Sequence, residues 1–264
     1  MPAAIPLNEL ASYLDDYLRV REVPDEPNAL NGLQVEAPGR IGRIVAAVDA
    51  SQAAIESAVR PRVSGPGGIS AGTTLLLVHH GLFWDGNIPI TGRRYRRVKT
   101  LLDAGVALYS AHIPLDLHPD VGNNALLARQ LGVCVEGPFG PYRGVAIGVH
   151  GALDMPRAEL VTRLNSLLRT DAKLIPGGPE RVARVGVVTG GAGGQIAAAR
   201  DAGLDTFVTG EGAHHTYIDA MELGLNVIYA GHYATETVGV QALAAHLSER
   251  FGIPWEFHDH PTGM

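Results

Sequence analysis

Val106-Ala-Leu-Tyr-Ser-Ala-His112-Ile-Pro-Leu-Asp116 and Asn226-Val-Ile-Tyr-Ala-Gly-His232-Tyr-Ala-Thr-Glu236 share one pattern. Each is a strand-like apolar run leading to a histidine, three further residues and an acid. A helix-like run follows in both, to Gly132 and Gly252, and the acid-to-glycine distance is sixteen residues in each. A third apolar run, Thr74 to Val78, ends directly in His79-His80-Gly81. Imidazoles and carboxylates therefore gather at the ends of predicted strands, where α/β proteins commonly build ligand and metal sites.

Working outward, Ile44 to Val48 reads as a buried strand leading through Asp49-Ala50-Ser51 to a helix over Gln52–Val59. A Pro/Gly/Ser stretch from Pro61 to Gly72 reads as an exposed loop. Thr74 to Val78 is a strand, Arg93 to Ala104 a helix, Val106 to Ala111 a strand and Asn124 to Leu131 a helix. The second half repeats this: strand Val185–Thr189, helix Gln195–Ala202, strand Thr206–Thr209, helix His215–Leu223, strand Asn226–Ala230, helix Val238–Phe251. Such alternation predicts an α/β fold with mixed, largely parallel sheets. It also predicts an internal duplication, with a first repeat over 1–132 and a connecting segment plus second repeat over 133–264. In this alignment Asp49 corresponds to Thr189, and His79-His80 to Gly210-Glu211. Ahead of the first repeat, Leu10, Tyr13, Leu14, Tyr17 and Leu18 give Glu9–Val20 an amphipathic helical pattern, with Asn8 as its N-cap. Between the repeats, Gly144–Val149 reads as a strand and Pro156–Leu168 as a helix capped near Asp154 or Met155, a connective or sheet-extending segment.

With 264 residues, 46% hydrophobic and 18% charged, the chain can bury a substantial core. Its formal net charge of -6 weighs against a general nucleic-acid partner. The single cysteine, Cys134, excludes an internal disulfide framework and a thiolate-rich zinc knot. Any metal must sit on histidine and carboxylate. No leader-like N-terminus and no long apolar run is present, so the expected location is the cytoplasm, without a membrane partner.

Two divalent ions held close together need several His and carboxylate ligands, and His79, His80, Asp116, His232 and Glu236 meet that demand. Adjacent side chains on a strand diverge, so His79 and His80 suit two neighbouring ions better than one. The competing readings are structural. The His pair can be half-buried at a sheet edge, and Asp116 and Glu236 can cap the helices that follow. The duplicated spacing favours ligands. His112 reads equally as a partner orienting a ligand or as a core histidine. Glu211 reads as a general base, a further ligand or a structural acid. His214 and His215 begin a helix from which they can reach substrate. Arg93, Arg94, Arg96, Arg97 and Lys99 read as a solvated helix face ahead of a phosphate-binding one. Gly190-Gly-Ala-Gly-Gly194 lacks dinucleotide-binding spacing and reads as a tight turn close to the metal centre.

The chain resembles a known family through Asn31-Gly-Leu-Gln-Val, His79-His80-Gly-Leu-Phe-Trp, Ala111-His-Ile-Pro-Leu-Asp116, Gly122-Asn-Asn124, Thr209-Gly-Glu211 and Gly231-His-Tyr-Ala-Thr-Glu236. It is the Nif-three-like dinuclear metal centre family, many of whose members are labelled type 2 GTP cyclohydrolase I. The resemblance is to the compact bacterial form without an inserted domain. It implies two intertwined domains, a toroidal homohexamer, and two divalent ions per subunit on His79, His80, Asp116, His232 and Glu236. Two departures stand out. Asn-Ala-Leu precedes Asn31 where many relatives have an acid, and Phe257-His-Asp-His260 places histidines where relatives are apolar.

The expected function is a metal-dependent hydrolase activating a bridging water. The family label implies GTP as substrate, although no guanine-reading motif is visible and a phosphoester is chemically as suitable. The alternative is metal storage, delivery or regulatory binding without turnover. Three histidines and two carboxylates suit zinc, iron, manganese, nickel or cobalt alike.

Overall fold

The computed structural model describes residues 4–60 and 72–264, which form two units of mixed α/β structure, each with its own six-stranded sheet. In chain order the elements are β1 (Ile5–Pro6), α1 (Leu7–Tyr17), β2 (Gly32–Val35), β3 (Arg40–Asp49), α2 (Gln52–Val59), β4 (Thr73–His80), α3 (Gly92–Ala104), β5 (Ala107–Ser110) and α4 (Ile113–Asp116). There follow α5 (Asn123–Leu131), β6 (Cys134–Tyr142), β7 (Val145–Pro156), α6 (Arg157–Leu168), β8 (Lys173–Pro176), β9 (Arg181–Val187), α7 (Ile196–Asp201), β10 (Thr206–Thr209), α8 (Thr216–Glu222), β11 (Asn226–Tyr229), α9 (His232–Thr235), α10 (Thr237–Phe251) and β12 (Trp255–Phe257). The expected Pro61–Gly72 loop lies, apart from Gly72, outside the described residues.

The first sheet has the order β1-β3-β4-β5-β2, with β12 also paired to β3. The second runs β6-β7-β9-β10-β11-β8. Both contain three successive parallel strands, β3-β4-β5 and β9-β10-β11, to which the first sheet adds β12 parallel on β3, and an antiparallel strand closes one side, β2 on β5 and β8 on β11. The parallel strands are the near-continuous apolar runs read in the sequence, as burial on both faces demands. Leu75, Leu76, Leu77 and Val78 of β4 are each at most 1% exposed.

The duplication is visible in register. Ile5 and Pro6 pair antiparallel with Ile41 and Arg40, while Met155 and Pro156 pair antiparallel with Val182 and Arg181. A helix starts directly after each proline, at Leu7 and at Arg157. Proline presets a φ compatible with helix entry and lacks the amide that a first turn leaves without an intrahelical partner. Two readings change accordingly. The cap of α1 is Pro6, not Asn8, and α6 is the counterpart of α1 and not a connector. The addition between the repeats is the hairpin of β6 with the first part of β7, which extends the second sheet.

The chain passes from one unit to the other earlier than residue 132. The first unit comprises 1–115 and 240–260, the second 116–239 and 261–264. Each repeat thus gives its last long helix to the other unit. Leu127, Ala128 and Leu131 of α5 pack with Val182, Val185, Val187, Val208 and Ile228. In α10, His246 stacks on Tyr17 with ring centroids 4.3 Å apart, and its Nε2 lies 2.6 Å from the Tyr13 hydroxyl. The motif glycines Gly132 and Gly252 end these two helices with φ of +84° and +68°, a left-handed conformation that favours glycine. No helix among the described residues is long and apolar enough to cross a membrane.

Candidate metal centre

In the first unit three imidazoles converge. His79 and His80 are the last two residues of β4, beside the end of β3, where His80 pairs with Asp49. His112 follows β5. The three ring centroids are 4.7, 5.0 and 5.5 Å apart, and each ring offers a nitrogen within 4.8 Å of the others. Divergence along the strand therefore does not keep His79 and His80 apart, because the strand ends at this point. His112, expected as a positioning or core residue, presents the same ligating capacity as the pair.

Each ring is fixed through Nδ1. His79 Nδ1 lies 2.8 Å from the Ala111 carbonyl, His80 Nδ1 2.8 Å from Asp49 Oδ1, and His112 Nδ1 2.8 Å from Asp25 Oδ1. These oxygens only accept, so each Nδ1 carries the proton and a neutral ring keeps its lone pair on Nε2, the form a metal requires. Asp25 is fixed in turn. It accepts from Asn31 Nδ2 at 2.8 Å and from the Ile113 amide at 3.0 Å, while Asn31 Oδ1 accepts the His112 amide at 2.7 Å. Burial works to raise the Asp25 pKa. The hydrogen bond and charge of His112, followed by the Asn31 and Glu26 bonds, prevail and hold it below its usual value. The Trp84 ring stands edge-on to His112 at 4.8 Å and to His80 at 5.7 Å.

In the second unit the ligand candidates surround the turn after β9. Asp116, 6% exposed, accepts at Oδ1 from Asn123 Nδ2 at 2.8 Å and from Thr189 Oγ1 at 3.4 Å. Asn124 braces the same turn, accepting the Thr189 amide at 2.7 Å and donating to the Ile147 carbonyl at 2.7 Å. The next residue, Gly190, has φ of +69°, and a Cβ there would lie 2.2 Å from Glu236 Oε1. Thr189 and Gly190 thus touch the two carboxylates in succession. The glycine run is a close-packed turn against these groups, and only glycine fits at 190.

His232 and Glu236 lie one helical turn apart around α9, with Nε2 and Oε1 separated by 3.2 Å. Glu236 ends α9 and stands immediately before α10, at the N-cap position of that helix. Asp116 lies within α4, and Gly122, not Asp116, caps α5. Glu211 Oε1 is 2.9 Å from His232 Nδ1. Its visible work is to orient that imidazole, as Asp49 does for His80. Burial alone would lower the His232 pKa, but the hydrogen bonds and charges of Glu236 and then Glu211 push it up to about 9.

Other candidates stand apart. His214 and His215 are exposed. Arg94 is buried and tied to Asp85 and to the Ile88 and Gly86 carbonyls, so one member of the basic run is structural. Lys99 pairs with Asp103 at 2.6 Å on the solvated face. Sequence reading missed Asp25, which fixes His112, and gave no role to the motif residues Asn31, which holds Asp25, and Asn123 and Asn124, which brace Asp116 and its turn.

The family described as Duf34/NIF3 (NGG1p interacting factor 3) matches residues 5–262. The chain belongs to the DUF34/NIF3 family. Among its relatives in that family, a protein from Deinococcus radiodurans called "GTP cyclohydrolase 1 type 2 homolog" is 44% identical over 259 residues, 97% of this chain and 94% of that protein. The crystal structure of TTHA1606 from Thermus thermophilus superposes with a TM-score of 0.81 at 42% identity, over 97% of this chain and 99% of that one. The structure of protein ybgI, described as of unknown function, gives a TM-score of 0.86 at 36% identity over 100% of both chains. The DUF34/NIF3 assignment agrees with the motifs that border the two residue clusters.

Proposed function

We propose that His79, His80, Asp116, His232 and Glu236 hold two divalent ions, and that the protein is a metal-dependent hydrolase. The observation that carries this reading is the tautomer control in the first unit. Imidazoles held by carbonyl or carboxylate oxygens at Nδ1 are prepared for a metal at Nε2, whereas hydrogen bonding in a core makes no such demand on three neighbouring rings. The carboxylates of the second unit supply anionic oxygens, which two cations close together require.

Bound ions would lower the pKa of a coordinated water and polarise the bond under attack. The protein's own groups do the positioning. Asp49 orients His80, Glu211 orients His232, and Asn123 and Thr189 fix Asp116 through Oδ1. Glu211, with its side chain 44% exposed, can also exchange a proton with solvent. His112 and Trp84 form a wall beside His79 and His80. The name carried by the relatives supports a nucleotide substrate such as GTP; a phosphoester suits the same ions. The homohexamer implied by the family resemblance belongs to this reading and is open to light scattering.

The test is turnover by metal-loaded protein against GTP and a panel of phosphoesters, with His79→Ala and Glu236→Gln as controls. Activity that needs metal and is lost in both folded variants supports the hydrolase. Readily exchangeable metal with no turnover on any substrate favours a metal-handling protein instead.

A further inference from the structure

The arginines in the first half of α3 have different fates. Arg94 is buried and bonds Asp85 Oδ1, while Arg93 Nη2 donates to Oδ2 of the same carboxylate at 3.2 Å. Arg96 is exposed. Arg97 is partly buried, yet its guanidinium has no hydrogen bond or ion pair among the described residues. A solvated helix face, the reading given to the whole basic run, does not describe this residue.

Arg93, Arg97 and Thr100 fall on one face of α3, at helical spacing. That face meets the start of α2, whose first residue, Gln52, donates from Nε2 to Thr100 Oγ1 at 3.2 Å. Asp49, just ahead of α2, holds His80 Nδ1 at 2.8 Å. Arg97 lies within electrostatic range of Asp49 and Asp85 but touches neither: Asp49 is turned to His80, and Asp85 to Arg93 and Arg94. Burial, and then the charge of Arg93, works against the Arg97 cation; Asp85 and Asp49 offset this only in part, and its pKa lies below the usual value. An arginine nonetheless stays charged in a protein, and its planar fork of donors matches the oxygens of a phosphate.

We propose that Arg97, flanked by Arg93, is a phosphate-binding subsite beside the His80 end of the centre, and that it takes a phosphate group of a small soluble substrate. Its part in turnover rests on the hydrolase reading above; the anion site itself does not. Arg97 is then a specificity residue, selecting phosphorylated molecules and holding them next to the imidazole that Asp49 orients.

The experiment titrates full-length protein, stripped of metal and dialysed, with pyrophosphate by calorimetry at fixed ionic strength. The unaltered chain is compared with Arg97→Gln, Arg97→Lys and Arg96→Gln, the last removing an equal charge from the exposed neighbour. Arg97→Gln is expected to weaken pyrophosphate binding by about tenfold or more. Arg97→Lys should fall between, since lysine keeps the charge without the fork. Arg96→Gln should stay within about twofold, because an exposed charge is largely screened. No binding by the unaltered chain, no loss at position 97, or equal losses at 96 and 97 overturns the proposal. Should circular dichroism show that Arg97→Gln misfolds, Arg97→Lys decides, and unchanged affinity there overturns it. Binding that depends on Arg97 without turnover on any phosphoester leaves the anion site standing and removes the hydrolase reading. Turnover with pyrophosphate affinity indifferent to Arg97 does the reverse.

Discussion

The residues proposed to build the metal centre are set by neighbours outside the proposed ligand set. Asp49 fixes His80, and Asp49→Asn is expected to weaken metal affinity by about 10–100-fold without unfolding the protein. Competition with a chromophoric chelator measures this. Gly190 makes a sharper case, because a methyl group there meets Glu236 Oε1 in a turn with positive φ. Gly190→Ala is expected to displace that carboxylate and lower both metal affinity and melting temperature. Gly203, also at positive φ but with nothing within 4 Å of a Cβ, is the control. Gly203→Ala should cost only the backbone strain of about 1–2 kcal/mol and leave metal binding intact. The proposed ligands stand out in the sequence because chemistry-bearing residue types lie at strand ends in a repeated spacing. Asp25 was not, since it approaches His112 from 87 positions away and lies in a polar loop without periodicity.

At the scale of elements, parallel strands such as β10 and helices with clear caps such as α2 followed closely from apolar runs and turn residues. Ser51 caps α2 by accepting the Ala54 amide at 3.1 Å. The antiparallel edge strands β2 and β8 were missed because they are short and only partly buried, with no apolar run to mark them. β12 is held by a partner that its own sequence does not name. Arg43 is 6% exposed, bonds Glu256, and also donates to the Ala58 and Arg60 carbonyls, joining β12, β3 and the end of α2. Burial acts to raise the Glu256 pKa, but Arg43 prevails and holds it below 4.5, its ordinary value. A carboxylate with a depressed folded-state pKa contributes stability above its unfolded value, lost as pH falls through the folded one. The stability gap between the unaltered chain and Glu256→Gln, measured by urea unfolding in chelator, should therefore be full near pH 6 and close progressively below about pH 4.5.

The whole molecule is a duplicated chain in which each repeat completes the other's unit. Periodicity revealed the duplication, because apolar patterns are local. It could not reveal the exchange of α5 and α10, since a helix has the same amphipathic pattern whichever sheet it covers. The exchange predicts that amide protection follows the unit and not the repeat. Leu127→Ala in α5 removes a fully buried side chain at about 2–5 kcal/mol. Hydrogen exchange should then accelerate in β9 and β10, while the first-repeat strands β3 and β4 are spared; the reverse pattern would show that α5 serves its own repeat. The central claim is that His79, His80, Asp116, His232 and Glu236 form one dinuclear centre. It is tested most directly by a crystal structure of protein purified without chelator, with anomalous scattering to locate and identify the ions. Two ions on these five side chains is the predicted result, and fewer than two ions there would contradict it.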